Sequence, residues 1–267
     1  MITSSNNAKV KQVVQWQTKA KERRKDQVFL AEGVRMCEEA PVKSVREVYL
    51  TEELEQKLRR NAQNGDTAFW DKLQQTGYET VSPEVFAKMA DTQTPQGILT
   101  VLEQPAYDLT QLVEQPEPLF LILENLQDPG NLGTMIRTGE GAGITGVIMS
   151  QQTVDIFNPK TIRATMGSIF RVPFVYVPEL STVLTQMHER GIHTYAAHLK
   201  GQKYYDSFSF REPTAFLIGN EGNGLTKEIS DQAGQYLKIP MEGKVESLNA
   251  SIAAALLMYE AHRQRNL

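Results

Sequence analysis

A single cysteine, Cys37, stands in a chain of 267 residues, which excludes an intrachain disulfide and fits a reducing compartment. No activating neighbour is evident for it, so Cys37 reads as a small buried apolar side chain rather than a nucleophile. Long apolar runs are missing too. No stretch approaches the ~20 residues of a membrane span, and the amino terminus lacks a signal-peptide core, so a cytoplasmic protein is expected. The four histidines, His188, His193, His198 and His262, have no cysteine partners and no zinc-site spacing; no metal is expected. The phosphate-cradling G-x-x-x-x-G-K-[ST] pattern is absent. A dinucleotide fingerprint is absent from its proper place as well: Gly130 and Gly133 follow the relevant strand, whereas Gly139, Gly141 and Gly143 come too late.

What is present is unevenly distributed charge. The chain carries a net −4, which taken alone disfavours a polyanion partner. Yet Lys9, Lys11, Lys19, Lys21, Arg23, Arg24 and Lys25 face only Glu22 and Asp26 within residues 1–30, so that segment is +5 and the remainder −9. Basic density on a mildly acidic body is either an electrostatic footprint for nucleic acid or a solvated helix face.

Hydrophobic periodicity divides the chain in two. A first helix over about 7–24 is expected from Val10, Val13, Val14 and Trp16. Strands follow at 28–33, 45–50, 77–82 and 97–102, with helices at 35–40, 52–63 and, capped by Ser82 before Pro83, through about Met89. This alternation predicts a small α/β domain over 1–103. Residues 104–117 are proline-rich and predict a linker. A second α/β unit, 118–267, is expected with strands at 119–124, 145–150, 172–177, 192–197, 214–219 and 235–240. Its last helix, about 249–265, is preceded and begun by an uncharged run from Ser247 to Tyr259. A helix so apolar, yet too short to cross a bilayer, predicts burial between two protein surfaces, one of them a second subunit.

Three loops sit where strands of the second unit end: "NLQDPGNLG" (125–133), "FLIGNEGNGL" (216–225) and "KIPMEGKVESLNAS" (238–251). Each alone is ordinary turn and cap chemistry. Together they predict a ligand cleft, because glycine lets backbone approach a bound molecule closely. The glycines of 139–143, costly inside a helix, are read the same way.

These residues resemble the SpoU (TrmH-like) family of RNA 2′-O-ribose methyltransferases, within the SPOUT class. The family's first motif has an asparagine followed six residues later by an arginine, as do Asn131 and Arg137. Its second has the glycine-asparagine-glutamate-glycine core found at 219–222. Its third, an Ile-Pro pair and then Ser-Leu-Asn-x-Ser, is matched by Ile239, Pro240, Ser247, Leu248, Asn249 and Ser251. The segment "RATMGSIFRVPF" (163–174) is similar to the family's connecting segment. "FLAEGVRMCEEA" (29–40) and "TPQGILTV" (94–101) resemble, more loosely, a ribosomal-protein-like substrate-binding domain.

The resemblance implies an α/β fold in which a small ribosomal-protein-like domain precedes an α/β-knot (trefoil knot) methyltransferase domain, an exception to the near-absence of knots. It implies S-adenosyl-L-methionine as methyl donor and a homodimer through the carboxy-terminal domain. It also implies RNA as substrate, with the leader favouring ribosomal over transfer RNA. By position, Asn131, Arg137, Glu221, Ser247 and Asn249 are the candidate catalytic residues, and Gly219, Ile239 and Leu248 the candidate cofactor-binding residues. Arginine keeps its proton in proteins and is an awkward base. Holding a phosphate and stabilising a developing alkoxide is the easier role for Arg137. Glu221 is read as orienting Arg137 or a substrate group, or as a base. Lys19, Lys21, Arg23, Arg24 and Lys25 become the candidate RNA-binding residues. The competing expectations are a non-catalytic RNA-binding protein with a methyltransferase-like fold and a doubly wound enzyme using a nucleotide cofactor.

Overall fold

The structure, a computed structural model, describes residues 1–244 and 247–266; two residues of the third motif, Val245 and Glu246, lie outside them. The chain divides into two compact units, Met1–Pro105 with Phe157–Phe170, and Ala106–Ile156 with Arg171–Leu267.

The first unit holds α1 (Ala8–Thr18), α2 (Ala20–Asp26), β1 (Val28–Glu32), α3 (Val34–Glu39), β2 (Val45–Thr51), α4 (Glu52–Gln63), α5 (Ala68–Thr76), β3 (Glu79–Val81), α6 (Pro83–Met89) and β4 (Ile98–Glu103). Its sheet runs β1-β4-β2-β3, antiparallel except for the β2–β3 pair. Side chains alternate across it. Leu30, Tyr49 and Val101 pack with Val10, Val13 and Phe86, whereas Val48, Leu50 and Ile98 pack with Leu54, Leu58 and Leu73. Helices therefore cover both faces.

Two departures from the expected elements have clear causes. The single helix over 7–24 is two helices, broken at Lys19 (φ −123°, ψ 109°). Arg23 turns back and donates from Nη1 to the carbonyl oxygens of Trp16 (2.6 Å) and Gln17 (3.3 Å), satisfying acceptors that the end of α1 leaves open. Trp16 Nε1 and Gln12 Nε2 in turn donate to Asp26 (2.7 and 3.1 Å). Helix α5 is additional to the expected elements, although Phe69 and Leu73 have i, i+4 spacing and are buried. It is held by Lys72, whose Nζ donates to the carbonyls of Cys37 (2.8 Å), Glu38 (2.7 Å) and Ala40 at the end of α3. Cys37 is buried as expected, and burial pushes its thiol up to about 12.

The second unit begins with α7 (Leu109–Val113), β5 (Leu119–Leu123), α8 (Pro129–Ala142) and β6 (Gly146–Ser150). The chain then passes through α9 (Pro159–Thr165), in the segment that belongs to the first unit, where the Phe157 and Phe170 rings lie 5.0 and 6.2 Å from that of Phe29. It returns to the second unit as β7 (Phe174–Val177), α10 (Leu180–Glu189), β8 (His193–Ala197), β9 (Lys203–Tyr204), β10 (Thr214–Ile218), α11 (Lys227–Gln232), β11 (Gln235–Lys238) and α12 (Ala250–Arg265). The second sheet is wholly parallel in the order β7-β6-β5-β10-β8-β11-β9. Strand order reverses between β5 and β10, the position where open α/β sheets bind ligands beyond their carboxyl ends. Among the described residues no helix is long and apolar enough to cross a membrane.

Candidate active site

Local chemistry explains how each loop leaves its strand. After β5, Asp128 caps α8 by accepting the Asn131 amide (2.8 Å), with Pro129 at the first helical position. This sets Asn131 in the first turn. After β10 the chain doubles back on itself. Asn220 N donates to Gly224 O (3.0 Å) and Gly224 N to Asn220 O (2.8 Å), while Asn220 Oδ1 accepts from the amides of Gly222 and Asn223. A Cβ at position 219 would collide with the backbone of Gly224 and Leu225. Gly219 is thus required by its own loop. At the third loop, Asn249 caps α12, its Oδ1 accepting from Ser251 N (2.8 Å) and Ser251 Oγ (2.6 Å).

These loops join through one polar relay. Glu221 accepts from the amides of Gln127 (3.0 Å) and Asp128 (2.9 Å) and from Asn131 Nδ2 (3.0 Å). Asn131 Oδ1 then accepts from Asn249 Nδ2 (2.9 Å). Burial pushes the Glu221 carboxyl up, but the Asn131 side chain and the two amides outweigh it and hold the group below the ordinary glutamate range. The ionised carboxylate fixes which way the Asn131 amide points, and Asn131 does the same for Asn249.

Beside the relay lies a cavity of about 360 Å³ at the ends of β8, β10 and β11. Gly219, Ile239 and Leu248 all line it, as do Glu221 and Ser247. Its walls mix aliphatic side chains such as Ile218 and Leu237 with loop backbone, the make-up of a small-molecule site. His198 also faces it, stacked on Tyr236 at 4.8 Å. Burial lowers the His198 pKa, and its Nδ1 accepts the Lys200 amide (3.0 Å), the arrangement of a neutral ring.

The structure brings Asn131, Glu221 and Asn249 into direct contact but not Arg137. Six residues along a helix turn the chain by about 120° away from Asn131, and Glu221 is engaged on the Asn131 side. Arg137 is exposed and makes no polar side-chain contact among the described residues. Within this chain Glu221 thus engages Asn131 and not Arg137. One helical turn beyond Arg137 is Gly141, where a Cβ would lie 2.9 Å from Tyr259 Oη of α12.

The glycines of 139–143, read above as suited to a bound molecule, have reasons within the protein itself, and Gly139 and Gly141 are hemmed in by neighbouring side chains. A Cβ at Gly139 would run into Ile144 and approach Met258 (3.6 Å), while Gly143, at φ +75°, is the left-handed cap that ends α8. Among the basic residues, Lys19, Lys21, Arg24 and Lys25 are exposed. Arg23, 3 % exposed and bound to α1, is not an available RNA contact.

Sequence reasoning missed Glu124, a buried carboxylate, and its partner Thr226. The available signal was a lone acid closing the apolar strand "LFLIL".

An open parallel sheet with a ligand-sized cavity at its carboxyl ends, and a prealigned polar relay beside it, defines a ligand-binding α/β protein. The profile of the SpoU rRNA Methylase family matches residues 118–259, and that of the MRM3-like substrate binding domain matches residues 7–100. The chain belongs to the SpoU rRNA methylase family. It is 33 % identical over 261 residues to the 23S rRNA (guanosine(2553)-2′-O)-methyltransferase RlmP of Bacillus subtilis, covering 97 % of each chain. It is 31 % identical over 191 residues to the 23S rRNA (uridine(2479)-2′-O)-methyltransferase of Streptomyces viridochromogenes, covering 69 % of this chain and 67 % of that one. Among solved structures, the AdoMet-bound rRNA methyltransferase of Sinorhizobium meliloti superposes with a TM-score of 0.84 at 30 % identity, covering 98 % of this chain and 97 % of that one.

Proposed function

We propose that the protein transfers a methyl group from S-adenosyl-L-methionine to a ribose 2′-hydroxyl of ribosomal RNA. The observation that carries this reading is the cavity lined by Gly219, Ile239 and Leu248, set directly beside the Glu221–Asn131–Asn249 relay. Its volume and mixed walls suit a nucleoside carrying an amino-acid tail. When bound, the donor supplies an electrophilic methyl on a sulfonium.

The chain's own residues supply position and charge. Loop backbone around Gly219, with Ile239 and Leu248, holds the donor. Arg137, exposed on α8, holds the phosphate next to the target ribose and stabilises the alkoxide as it forms. The proton leaves to that phosphate or to solvent. Glu221, ionised and filled by three donors, acts on Asn131 rather than as the base, and Ser247 at the cavity wall orients the ribose. Near-attack alignment then contributes most of the acceleration.

Residues 1–103 present the RNA, with Lys19, Lys21, Arg24 and Lys25 as sequence-blind phosphate contacts. The protein acts as a homodimer through α12. That helix exposes Ile252, Leu256 and Tyr259 on one stripe, and Gly141, one turn beyond Arg137 on α8, meets Tyr259. The trefoil knot of residues 118–267 belongs to this proposal. Its support is the insertion of β10 between β5 and β8 and the return of α12 onto α8 and β10. A cytoplasmic location follows from a ribosomal substrate.

Ribose-methylation mapping of ribosomal RNA from cells with and without the protein tests the reading. One 2′-O-methyl should disappear, and purified protein with labelled donor should restore it. Identical maps together with no transfer in vitro would refute it.

A further inference from the structure

Glu124 ends β5 and is 5 % exposed. Both of its carboxylate oxygens are used by one neutral residue. Thr226 N donates to Oε2 and Thr226 Oγ1 to Oε1, each at 2.7 Å. Thr226 closes the loop that begins at Gly219 and carries Glu221. The other end of that loop is tied to the same place: Glu124 N donates to Ile218 O (3.0 Å), and Asn220 Nδ2 donates to Asn125 O (2.9 Å). Asn125 itself is in the left-handed region (φ +56°), where its amide meets Ser150 Oγ (2.9 Å) and its Oδ1 accepts from that hydroxyl (3.0 Å). A backbone conformation that asparagine tolerates is thus fixed by neighbours on both sides.

We infer that Glu124 and Thr226 are positioning residues for the transfer reaction: their two-point clamp sets where the Gly219–Leu225 loop stands, and so places Glu221 against Asn131 and one wall against the donor. The inference rests on the proposed function for its catalytic meaning, although the clamp itself does not. Neither residue reaches the relay. They act through the loop, whose internal Asn220–Gly224 pairing makes it move as one piece. Charge-assisted hydrogen bonds to a buried carboxylate are the strong kind and have strict geometry, and small misplacements of reacting groups cost heavily.

The test must separate this role from the ordinary capping of α11, because Thr226 Oγ1 also accepts the Ile229 amide (3.3 Å). Thr226→Ser keeps clamp and cap. Thr226→Asp keeps a helix cap but sets a second carboxylate against Glu124. Thr226→Asp with Glu124→Gln relieves that repulsion. Donor affinity by calorimetry, single-turnover methyl transfer, thermal midpoint and amide exchange over residues 219–226 are read for each. Thr226→Ser should match the parent. Thr226→Asp should lose on the order of 10- to 100-fold in transfer rate and lose exchange protection in the loop, and the double variant should recover much of both. Parent-like transfer and protection in Thr226→Asp would overturn the inference, as would a loss that the double variant leaves unrepaired. Should the parent itself bind no donor, the proposed function fails; amide exchange still decides whether the clamp holds the loop.

Discussion

At the scale of single residues, the proposed mechanism divides the work between Arg137 and Glu221. Among the described residues Arg137 makes no polar side-chain contact, so Arg137→Ala should reduce methyl transfer by several orders of magnitude while leaving donor affinity within about twofold, a split that isothermal calorimetry and a labelled-methyl assay would expose. Glu221 makes a prediction about pH. Its folded-state pKa lies below the ordinary value of 4.5, so the order it imposes is complete above that value and is lost as pH falls through the lowered one. Donor affinity should hold down to about pH 5 and fail only in more acid solution. Glu221→Gln, which turns an amide donor toward backbone donors, should weaken binding at every pH and flatten that acid limb. A parent-like acid limb in this variant would assign it to another group. Both residues could be picked out from sequence, but their relation could not. Spacing of six residues names Asn131 and Arg137 together, while helical geometry sends them to different sides.

At the scale of elements, the loop after β10 and the pair α1–α2 carry the sharpest tests. Gly219→Ala places a methyl group against the backbone of Gly224 and Leu225, which no side-chain adjustment can relieve. It should abolish measurable donor binding, whereas Gly141→Ala, which meets only the far end of the Tyr259 side chain, should be tolerated or slightly stabilising. Comparable thermal midpoints and affinities for the two variants would contradict this distinction. On α2 and at its start, neutralising Lys19, Lys21, Arg24 and Lys25 together should weaken RNA binding and flatten its salt dependence by about 0.7–0.9 in log–log slope for each phosphate no longer neutralised. Arg23→Ala should instead lower the melting temperature, because it uncovers the carbonyls of Trp16 and Gln17. Most element positions were legible from apolar periodicity. The break at Lys19 was not, since it depends on a guanidinium reaching back across a turn.

For the whole molecule, the exposed stripe Ile252, Leu256 and Tyr259 on α12 matters most. Its other face, with Ala254, Leu257, Met258 and Ala261, is fully covered. A helix uncharged through Tyr259, with one face covered and an apolar stripe left exposed, supports the proposed second subunit. The proposed dimer predicts that Leu256→Glu runs as a monomer in analytical ultracentrifugation and loses transfer activity with it. An active monomer would separate the helix from the reaction. Division of the chain also differs from what sequence order suggests. Phe157–Phe170, inside the methyltransferase stretch by numbering, belongs to the first unit and packs on Phe29.

Most strands and helices, the caps at Ser82 and Asn249, and the three motif loops were determined by the amino-acid sequence, because each depends on side chains a few residues apart. Family membership followed from those same short spacings. Tertiary structure alone decided the purpose of the glycines in α8, the withdrawal of Arg23, the pairing of Glu124 with Thr226 and the coupling of Glu221 to Asn131 rather than Arg137. Each of these joins groups from separate elements, or turns on helical phase, and no local pattern records which distant atom a buried donor or acceptor will meet.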